Sequence, residues 1–257
     1  MTLNLILNGD DTSQIPVLLA HGLFGSARNL GGIARRLAET RRVISVDMRN
    51  HGDSFHDPDH SYPALAEDLA KVIAQFGGRA DVIGHSMGGK AVMTLALSHP
   101  EMVGRLAVLD ISPISYRHNQ DGLIAAMQGL KRHGLTLRSE ADRRLSTSID
   151  DPGVRAFLLQ SLDLKSDPAQ WKMNLDALSQ QMLVIVGWPD TLAPGAFTGP
   201  ALVLAGAAST YCDPDGQSAI RRFFPQAQVE LLPGLGHWLH AEDPKGIADR
   251  LVAFLSA

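Results

Sequence analysis

The chain has 257 residues, 45% of them apolar, and a net charge of −4. This length is sufficient for one large domain, or for one domain that carries an inserted subdomain. The mildly acidic balance argues against nucleic acid or anionic lipid as a partner, and no apolar run reaches the roughly 20 residues that a membrane helix needs. The N-terminus lacks the basic start of a signal peptide, and the single cysteine, Cys212, cannot form an internal disulfide. We therefore expect a cytoplasmic protein without membrane insertion.

Short apolar runs alternate with helical patterns over the first part of the chain. The runs predict buried strands at Pro16–Ala20, Val43–Val46, Ala80–Ile83 and Leu106–Leu109, with Leu3–Leu7 as a candidate antiparallel edge strand. Between them, the spacing of apolar residues predicts a helix that ends at Gly77-Gly78 and a second helix at Lys90–Ser98. This alternation is typical of the α/β class, with a mostly parallel sheet and helices on both of its faces.

The middle of the chain lacks this alternation. No buried strand is evident after Pro113 until Leu183–Val186, whereas amphipathic patches such as Val154–Leu162 predict helices. The alternation then returns, with strands predicted at Ala201–Ala205 and Val229–Leu232 and helices at Ser218–Phe224 and Ile247–Leu255. We therefore predict an α/β core made of residues 1–112 and 200–257, and a helical cap inserted as residues 113–199.

The stretch VIGHSMGGK places Ser86 between a predicted strand and a predicted helix. A serine in so sharp a turn needs small neighbours, here Gly84 and Gly88, because the two backbones approach closely. The next N–H group, that of Met87, would lie at a helix N-terminus, which favours a developing negative charge. We predict that Ser86 is a nucleophile and that Met87 contributes to an oxyanion hole. The alternative is a glycine-rich turn with an inert serine.

A serine nucleophile needs a base, and the base needs an acid that orients it. His237, in GLGHWLH, follows the last predicted strand, and the nearby glycines allow its loop to reach back. The acid has two candidates, since Asp110 directly follows one predicted strand and Asp213 lies beyond the next. Carboxyl ends of adjacent strands are only ~5 Å apart, so either strand could present a carboxylate to the base.

These motifs together resemble the α/β-hydrolase fold family, and more closely the YbfF-type bacterial esterases. The resemblance covers nearly the whole chain and rests on HGLFGS, D-x-RNHG, GHSMGGK, LDISP, IVGW and GHWLHAE in this order. In most of the family the acid follows the strand before the last, a few residues beyond a glycine, where this chain has Ser209. In the YbfF-type subgroup the acid stands in a motif like LDISP, which matches Asp110. The resemblance also places the second oxyanion donor in HGLFGS, at Leu23 or Phe24.

The resemblance implies a serine hydrolase that cleaves short- to medium-chain acyl esters or thioesters and needs no metal or cofactor. We expect Trp238 and Trp188 to line the substrate pocket. A bulky anionic thioester would call for cations at the entrance, for which the candidates are Arg117, Lys131, Arg132 and Lys165. The motif around His51 has no catalytic role that we can derive, and we expect it to brace its loop.

Other functions use the same residues on this fold. Carbon–carbon bond hydrolysis, lactone hydrolysis and perhydrolysis all keep the serine, histidine and aspartate. A ligand receptor on the same scaffold is an alternative outside the enzymes, because a fold does not fix a function. The sequence leaves the natural substrate and the oligomeric state open.

Overall fold

The computed structural model describes residues 2–117 and 119–256. The strands in this part of the chain are β1 (Leu5–Asn8), β2 (Val17–Ala20), β3 (Val43–Val46), β4 (Ala80–His85), β5 (Val103–Leu109), β6 (Leu162–Asp163), β7 (Gln170–Trp171), β8 (Ala201–Gly206) and β9 (Ala227–Leu232). Seven of them form one sheet in the order β1-β3-β2-β4-β5-β8-β9. Strand β1 pairs antiparallel with β3 at one edge, and every other neighbouring pair is parallel.

Helices cover both faces of the sheet. The α-helices of the described chain are α1 (Gly31–Leu37), α2 (Tyr62–Gln75), α3 (Met87–Ser98), α4 (Asp121–Gly129), α5 (Arg138–Leu145), α6 (Pro152–Leu159), α7 (Leu175–Gln180), α8 (Met182–Val186), α9 (Pro214–Phe223), α10 (Leu239–Glu242) and α11 (Pro244–Ser256). Helices α1 and α11 bury one apolar cluster against the sheet, whereas α2 and α3 belong to the larger cluster on the other face. The α/β architecture therefore agrees with the prediction from the strand–helix alternation.

The segment between β5 and β8 has a different organisation. Its described residues form α4 to α8 and the short antiparallel pair β6–β7. Backbone hydrogen bonds tie this segment to the loop after β3, from Gly52 N–H to the Lys172 carbonyl at 2.7 Å and from Asn174 N–H to the Asn50 carbonyl at 2.9 Å. Within residues 2–117 and 119–256 no helix is long and apolar enough to cross a membrane.

The strand predicted at Leu183–Val186 is wrong, because these residues lie in helix α8. An apolar run of four residues has no periodicity that separates a buried strand from a helical turn. The side chains in the structure follow a helical pattern, since Ile185 is buried while Leu183 is 81% exposed.

The parallel strands bring four loops to one edge of the sheet. Ser86 follows β4, Asp110 follows β5, Ser209 lies beyond β8, and His237 lies beyond β9. These strands are neighbours or near neighbours in the sheet order, so side chains far apart in sequence meet at their carboxyl ends.

Candidate active site

Ser86 occupies a strained turn between β4 and α3. Its backbone has φ 52° and ψ −119°, a conformation that side-chain-bearing residues rarely adopt. A Cβ atom at Gly84 would lie 2.2 Å from the Gly88 carbonyl oxygen, and one at Gly88 would lie 2.4 Å from the Ala20 carbonyl oxygen. Only glycine fits at either position, so the turn that presents the serine hydroxyl depends on both of them.

His237 joins Ser86 to Asp110 through two hydrogen bonds. Its Nδ1 lies 2.7 Å from Asp110 Oδ2, and its Nε2 lies 3.1 Å from Ser86 Oγ. Because an ionised carboxylate only accepts hydrogen bonds, Nδ1 carries the ring hydrogen in the neutral imidazole. The lone pair of Nε2 therefore faces the serine hydroxyl, which is the arrangement that a general base requires.

The Asp110 carboxylate is fully buried, and the protein supplies it with further donors. Oδ1 accepts the Gly206 N–H at 2.9 Å, and Oδ2 accepts the Ser209 hydroxyl in addition to the imidazole. Buried charge needs this degree of hydrogen bonding to be retained. Ser209, which stands where most of the family has its acid, is thus a donor to the carboxylate that stands one strand away.

Asp213, the alternative acid, has a structural position. Its carboxylate accepts the Gly216 N–H at 2.8 Å and caps the N-terminus of α9. The geometry therefore brings Asp110 to the imidazole, while Asp213 caps helix α9.

The sequence did not predict the contacts that two residues make with His237. The Tyr211 ring stacks on the imidazole, with centroids 4.1 Å apart and an interplanar angle of 25°. His85 Nε2 lies 2.9 Å from the His237 carbonyl oxygen, so this nitrogen donates and holds the backbone of the loop. Burial keeps the pKa of His85 well below its ordinary value, which leaves the ring neutral. The only sequence signal for these contacts was the position of each residue, at or just beyond the carboxyl end of a strand.

The candidate oxyanion hole lies between α3 and the loop after β2. Met87 is the first residue of α3, so its N–H has no partner in a preceding turn. The Phe24 N–H, one of the two predicted second donors, instead donates to His51 Nε2 at 3.1 Å. Phe24 is therefore corrected from an oxyanion donor to a residue of the loop's own scaffold, and Leu23 is left as the second candidate.

A cavity of about 260 Å³ opens next to Ser86. Its described lining is mostly apolar and includes Leu23, Phe24, Met87, Leu123, Val154, Phe157, Leu158, Ile185, Val186 and Trp238. The expectation for Trp188 is wrong, because this ring lies outside the lining and packs on Phe223 with centroids 5.4 Å apart. The sequence could not give the direction of the Trp188 side chain.

The lining contains one lysine whose charge is well shielded from water. Lys90 is 1% exposed, and its Nζ donates to the carbonyl oxygens of Val186 and Gly187 at 3.0 and 2.6 Å. Burial lowers the pKa of Lys90 to about 7. The four cations considered for a thioester entrance, Arg117, Lys131, Arg132 and Lys165, are absent from the described lining. Within the described ranges no group of His, Cys, Asp or Glu side chains is placed to hold a metal ion.

The sheet order and the side chains at its carboxyl edge define an α/β-hydrolase. A family model described as "alpha/beta hydrolase fold" matches residues 15–244, and the chain belongs to this family. It is 42% identical to the "sn-1-specific diacylglycerol lipase ABHD11" of Mus musculus over 98% of this chain and 84% of that protein. It is 37% identical to "Esterase YbfF" of Escherichia coli over 94% of this chain and 93% of that protein.

A solved structure agrees with this assignment. The "Marine microorganism esterase" superposes with a TM-score of 0.92 at 34% sequence identity, covering 98% of this chain and 99% of that one. The resemblance to the YbfF-type esterases that the motifs indicated is therefore confirmed over nearly the full length.

Proposed function

We propose that this protein is a carboxylic ester hydrolase in which Ser86, His237 and Asp110 form the catalytic triad. The observation that carries the proposal is the continuous hydrogen-bond chain from Ser86 Oγ through the imidazole to Asp110, at 3.1 and 2.7 Å. The serine stands on a strained turn that holds its hydroxyl toward the cavity. Esterases and lipases among the relatives support the same class of reaction.

The reaction begins when Ser86 Oγ attacks the acyl carbonyl carbon of the ester. His237 Nε2 takes the hydroxyl proton, and the imidazolium is stabilised by the carboxylate of Asp110. The carbonyl oxygen becomes an oxyanion, which accepts hydrogen bonds from the N–H groups of Met87 and Leu23. One such donor contributes roughly 3 kcal/mol to the stability of the transition state.

The tetrahedral intermediate collapses when the alcohol leaves with the proton from His237, which gives an acyl-enzyme on Ser86. Water then enters, His237 removes its proton, and the hydroxide adds to the acyl carbon. Collapse of the second intermediate returns the proton to Ser86 Oγ and releases the carboxylic acid. The same base and the same oxyanion donors serve both halves of the cycle.

The cavity favours a substrate with an apolar acyl group of short to medium length. Its volume of about 260 Å³ is at the small end of ligand pockets, and its walls are largely hydrocarbon. A thioester with the same acyl group has the same reacting carbonyl and is a second substrate of this site. The absence of the four candidate cations from the described lining favours an uncharged leaving group over a bulky anionic one.

Residues 113–199 act in this proposal as a cap over the cavity. Helices α4, α6 and α8 contribute to the lining through Leu123, Val154, Phe157, Leu158, Ile185 and Val186. These apolar side chains exclude water from the acyl group and strengthen the electrostatic interactions at the reacting carbonyl.

The proposal is tested by hydrolysis of p-nitrophenyl esters from acetate to dodecanoate. Ser86→Ala should lower kcat by about 10⁴-fold or more. Ser146→Ala is the matched control, since this serine is exposed on the surface beyond α5, and it should leave kcat unchanged. Equal rates in the wild type and Ser86→Ala on every ester would refute the esterase proposal and favour a carbon–carbon hydrolase or a receptor.

A further inference from the structure

Two loops lie side by side behind the candidate oxyanion hole. One comprises residues 21–26 after β2 and contains Leu23, and the other comprises residues 47–52 after β3. Strands β2 and β3 are parallel neighbours, with Ala20 opposite Val46, so the two loops leave the sheet next to each other. Each loop contains one fully buried histidine, His21 in the first and His51 in the second.

The two histidines cross-link the loops in opposite directions. His51 Nε2 lies 3.1 Å from the Phe24 nitrogen, and His21 Nε2 lies 3.0 Å from the Met48 nitrogen. Each histidine therefore accepts a backbone N–H of the other loop. The two rings are themselves in edge contact, with centroids 5.2 Å apart.

The hydrogen-bond partners fix the tautomer of both rings. His51 Nδ1 faces the Arg49 carbonyl oxygen at 3.0 Å, and His21 Nδ1 faces the Gly22 carbonyl oxygen at 2.8 Å. A carbonyl only accepts, so Nδ1 carries the hydrogen in each ring and Nε2 is free to accept the N–H of the other loop. Burial lowers the pKa of both histidines, and the neutral form that this network requires is thereby maintained.

These hydrogen bonds act on the two peptide planes that flank Leu23. The Leu23 N–H shares a rigid plane with the Gly22 carbonyl, which His21 holds. The Phe24 N–H lies in the next plane, and His51 holds it. With both planes fixed, the direction of the Leu23 N–H is fixed as well.

The cap contributes to the same loop. Ser161 Oγ donates to the Phe24 carbonyl oxygen at 3.2 Å, so Phe24 is held at its N–H by the core and at its carbonyl by the inserted segment. Phe24 also has a φ of 64°, a strained value that the surrounding contacts must maintain.

We propose that His21 and His51 are positioning residues that aim the Leu23 N–H at the oxyanion. This inference rests on the proposed function, and it assigns a role in positioning the oxyanion donor to His21 of HGLFGS and to His51 of RNHG. In this role both imidazoles act on the backbone of the loops. Their effect is exerted through the peptide planes, so it should appear in kcat and in the binding of tetrahedral analogues, with little change in KM.

Substitution by asparagine or glutamine distinguishes the roles of the two nitrogens of each histidine ring. An asparagine side chain places its amide near the Nδ1 position, and a glutamine side chain reaches the Nε2 position. At position 51 the essential contact is made by Nε2, so His51→Gln should retain kcat within about fivefold, whereas His51→Asn should lose about 10- to 100-fold. At position 21 the contact to the Leu23 plane is made by Nδ1, so the order should reverse, with His21→Asn the more active variant.

Two further measurements keep the test independent of folding. Ser161→Ala removes the cap's contact with Phe24 and should lower kcat several-fold with KM unchanged. A trifluoromethyl ketone, which forms a tetrahedral adduct with a serine, should bind His51→Asn more weakly by the same factor as the loss in kcat/KM. The carboxylic acid product should bind both forms equally. His133→Gln, at a histidine that is 86% exposed, is the control and should match the wild type.

The decisive result is the order of kcat among the four variants, with glutamine above asparagine at position 51 and asparagine above glutamine at position 21. Equal kcat values for His51→Gln and His51→Asn would overturn the proposal, as would a rise in KM without a fall in kcat. If the variants at one of the two positions do not fold, the pair at the other position carries the test, and equal kcat values for its glutamine and asparagine forms would also overturn the proposal. Failure of the triad proposal would appear separately, as activity that persists in Ser86→Ala.

Discussion

Ser86 and Asp110 are the residues that directly follow two neighbouring parallel strands, and both have a positive φ, of 52° and 51°. The strands pair in register up to His85 and Leu109, and the Ser86 N–H donates to the Leu109 carbonyl oxygen at 3.0 Å. The residues that we propose as nucleophile and acid thus share a positive φ at the ends of adjacent strands. Strain of this kind costs about 1–3 kcal/mol per residue and persists where the surrounding structure enforces it.

The strain at Ser86 predicts a difference between two inactive variants. Ser86→Gly should be more stable than Ser86→Ala by about 1 kcal/mol, because glycine adopts a positive φ without a steric penalty. Urea denaturation of the two proteins measures this difference directly. A more stable alanine variant would contradict the assigned backbone strain.

The acid assignment predicts opposite behaviour of two aspartates. Asp110→Asn should lower kcat by about 10⁴-fold, because an amide stabilises the wrong imidazole tautomer. Asp213→Asn should keep near-wild-type kcat, since asparagine also caps helices well. The rates on one p-nitrophenyl ester decide between them, and a collapse in Asp213→Asn with activity retained in Asp110→Asn would reverse the assignment.

The hydrogen bond from Ser209 to Asp110 predicts that the acid can be moved. The double variant Asp110→Asn with Ser209→Asp should have a kcat about 10-fold or more above that of Asp110→Asn alone. The side chain at position 209 already contacts Asp110 Oδ2, the oxygen that faces the imidazole, so a carboxylate placed there lies close to the ring. The single variant Ser209→Asp is the control, and it should be impaired because two carboxylates would compete for one site. No recovery in the double variant would show that the acid must stand in the loop after β5.

Substitution of Trp238 should affect substrate binding, whereas substitution of Trp188 should affect stability. Trp238→Leu should change KM and the chain-length preference, since this ring lines the cavity and packs on Phe157. Trp188→Leu should leave KM unchanged and lower Tm by a few degrees, because its ring packs on Phe223 outside the cavity. A change of chain-length preference in Trp188→Leu would place this residue back at the substrate.

The buried histidines predict that the protein loses stability in mild acid. Burial lowers the pKa of His60 to about 3 and that of His240 to about 4, and it holds the pKa values of His21, His51 and His85 below their ordinary range. The unfolded chain binds protons below about pH 6.5, where the folded chain does not. The free energy of unfolding should therefore fall as the pH drops below 6.5, by up to about 1.4 kcal/mol per pH unit for each histidine.

Urea denaturation at pH 7.5, 6.5 and 5.5 measures this effect. His60→Gln should flatten the decrease, because this ring is buried and the nearby Arg49 further opposes its protonation. His133→Gln, on the surface, should leave the slope unchanged. A midpoint that stays constant or rises toward pH 5.5 would contradict the neutral state of these rings.

The strand–helix alternation was sufficient to predict the sheet, because buried parallel strands are short apolar runs and the helices between them are periodic. Ser86 and His237 were selected as candidates because of their positions after predicted strands. The residues alone did not choose between Asp110 and Asp213, since both follow strands that reach the same edge. The resemblance to LDISP favoured Asp110, and the structure places that carboxylate 2.7 Å from the imidazole.

Other features depended on contacts that no local pattern records. Ser209 contacts Asp110 and Tyr211 contacts His237, and both contacts depend on side-chain directions that a sequence does not give. The reciprocal bonds of His21 and His51 require β2 and β3 to be neighbours, which is a property of sheet order. The expectation that Trp188 lines the cavity failed for the same reason, because the sequence does not show that its ring packs on Phe223.

The most direct test of the catalytic triad is the isolation of the acyl-enzyme. The protein is mixed with a p-nitrophenyl ester, quenched in acid within the first turnovers and examined by peptide mass spectrometry. The account predicts an acyl group on Ser86 in the wild type and none in Ser86→Ala, with hydrolysis lost in the variant. An acyl group on another residue, or undiminished hydrolysis by Ser86→Ala, would contradict it.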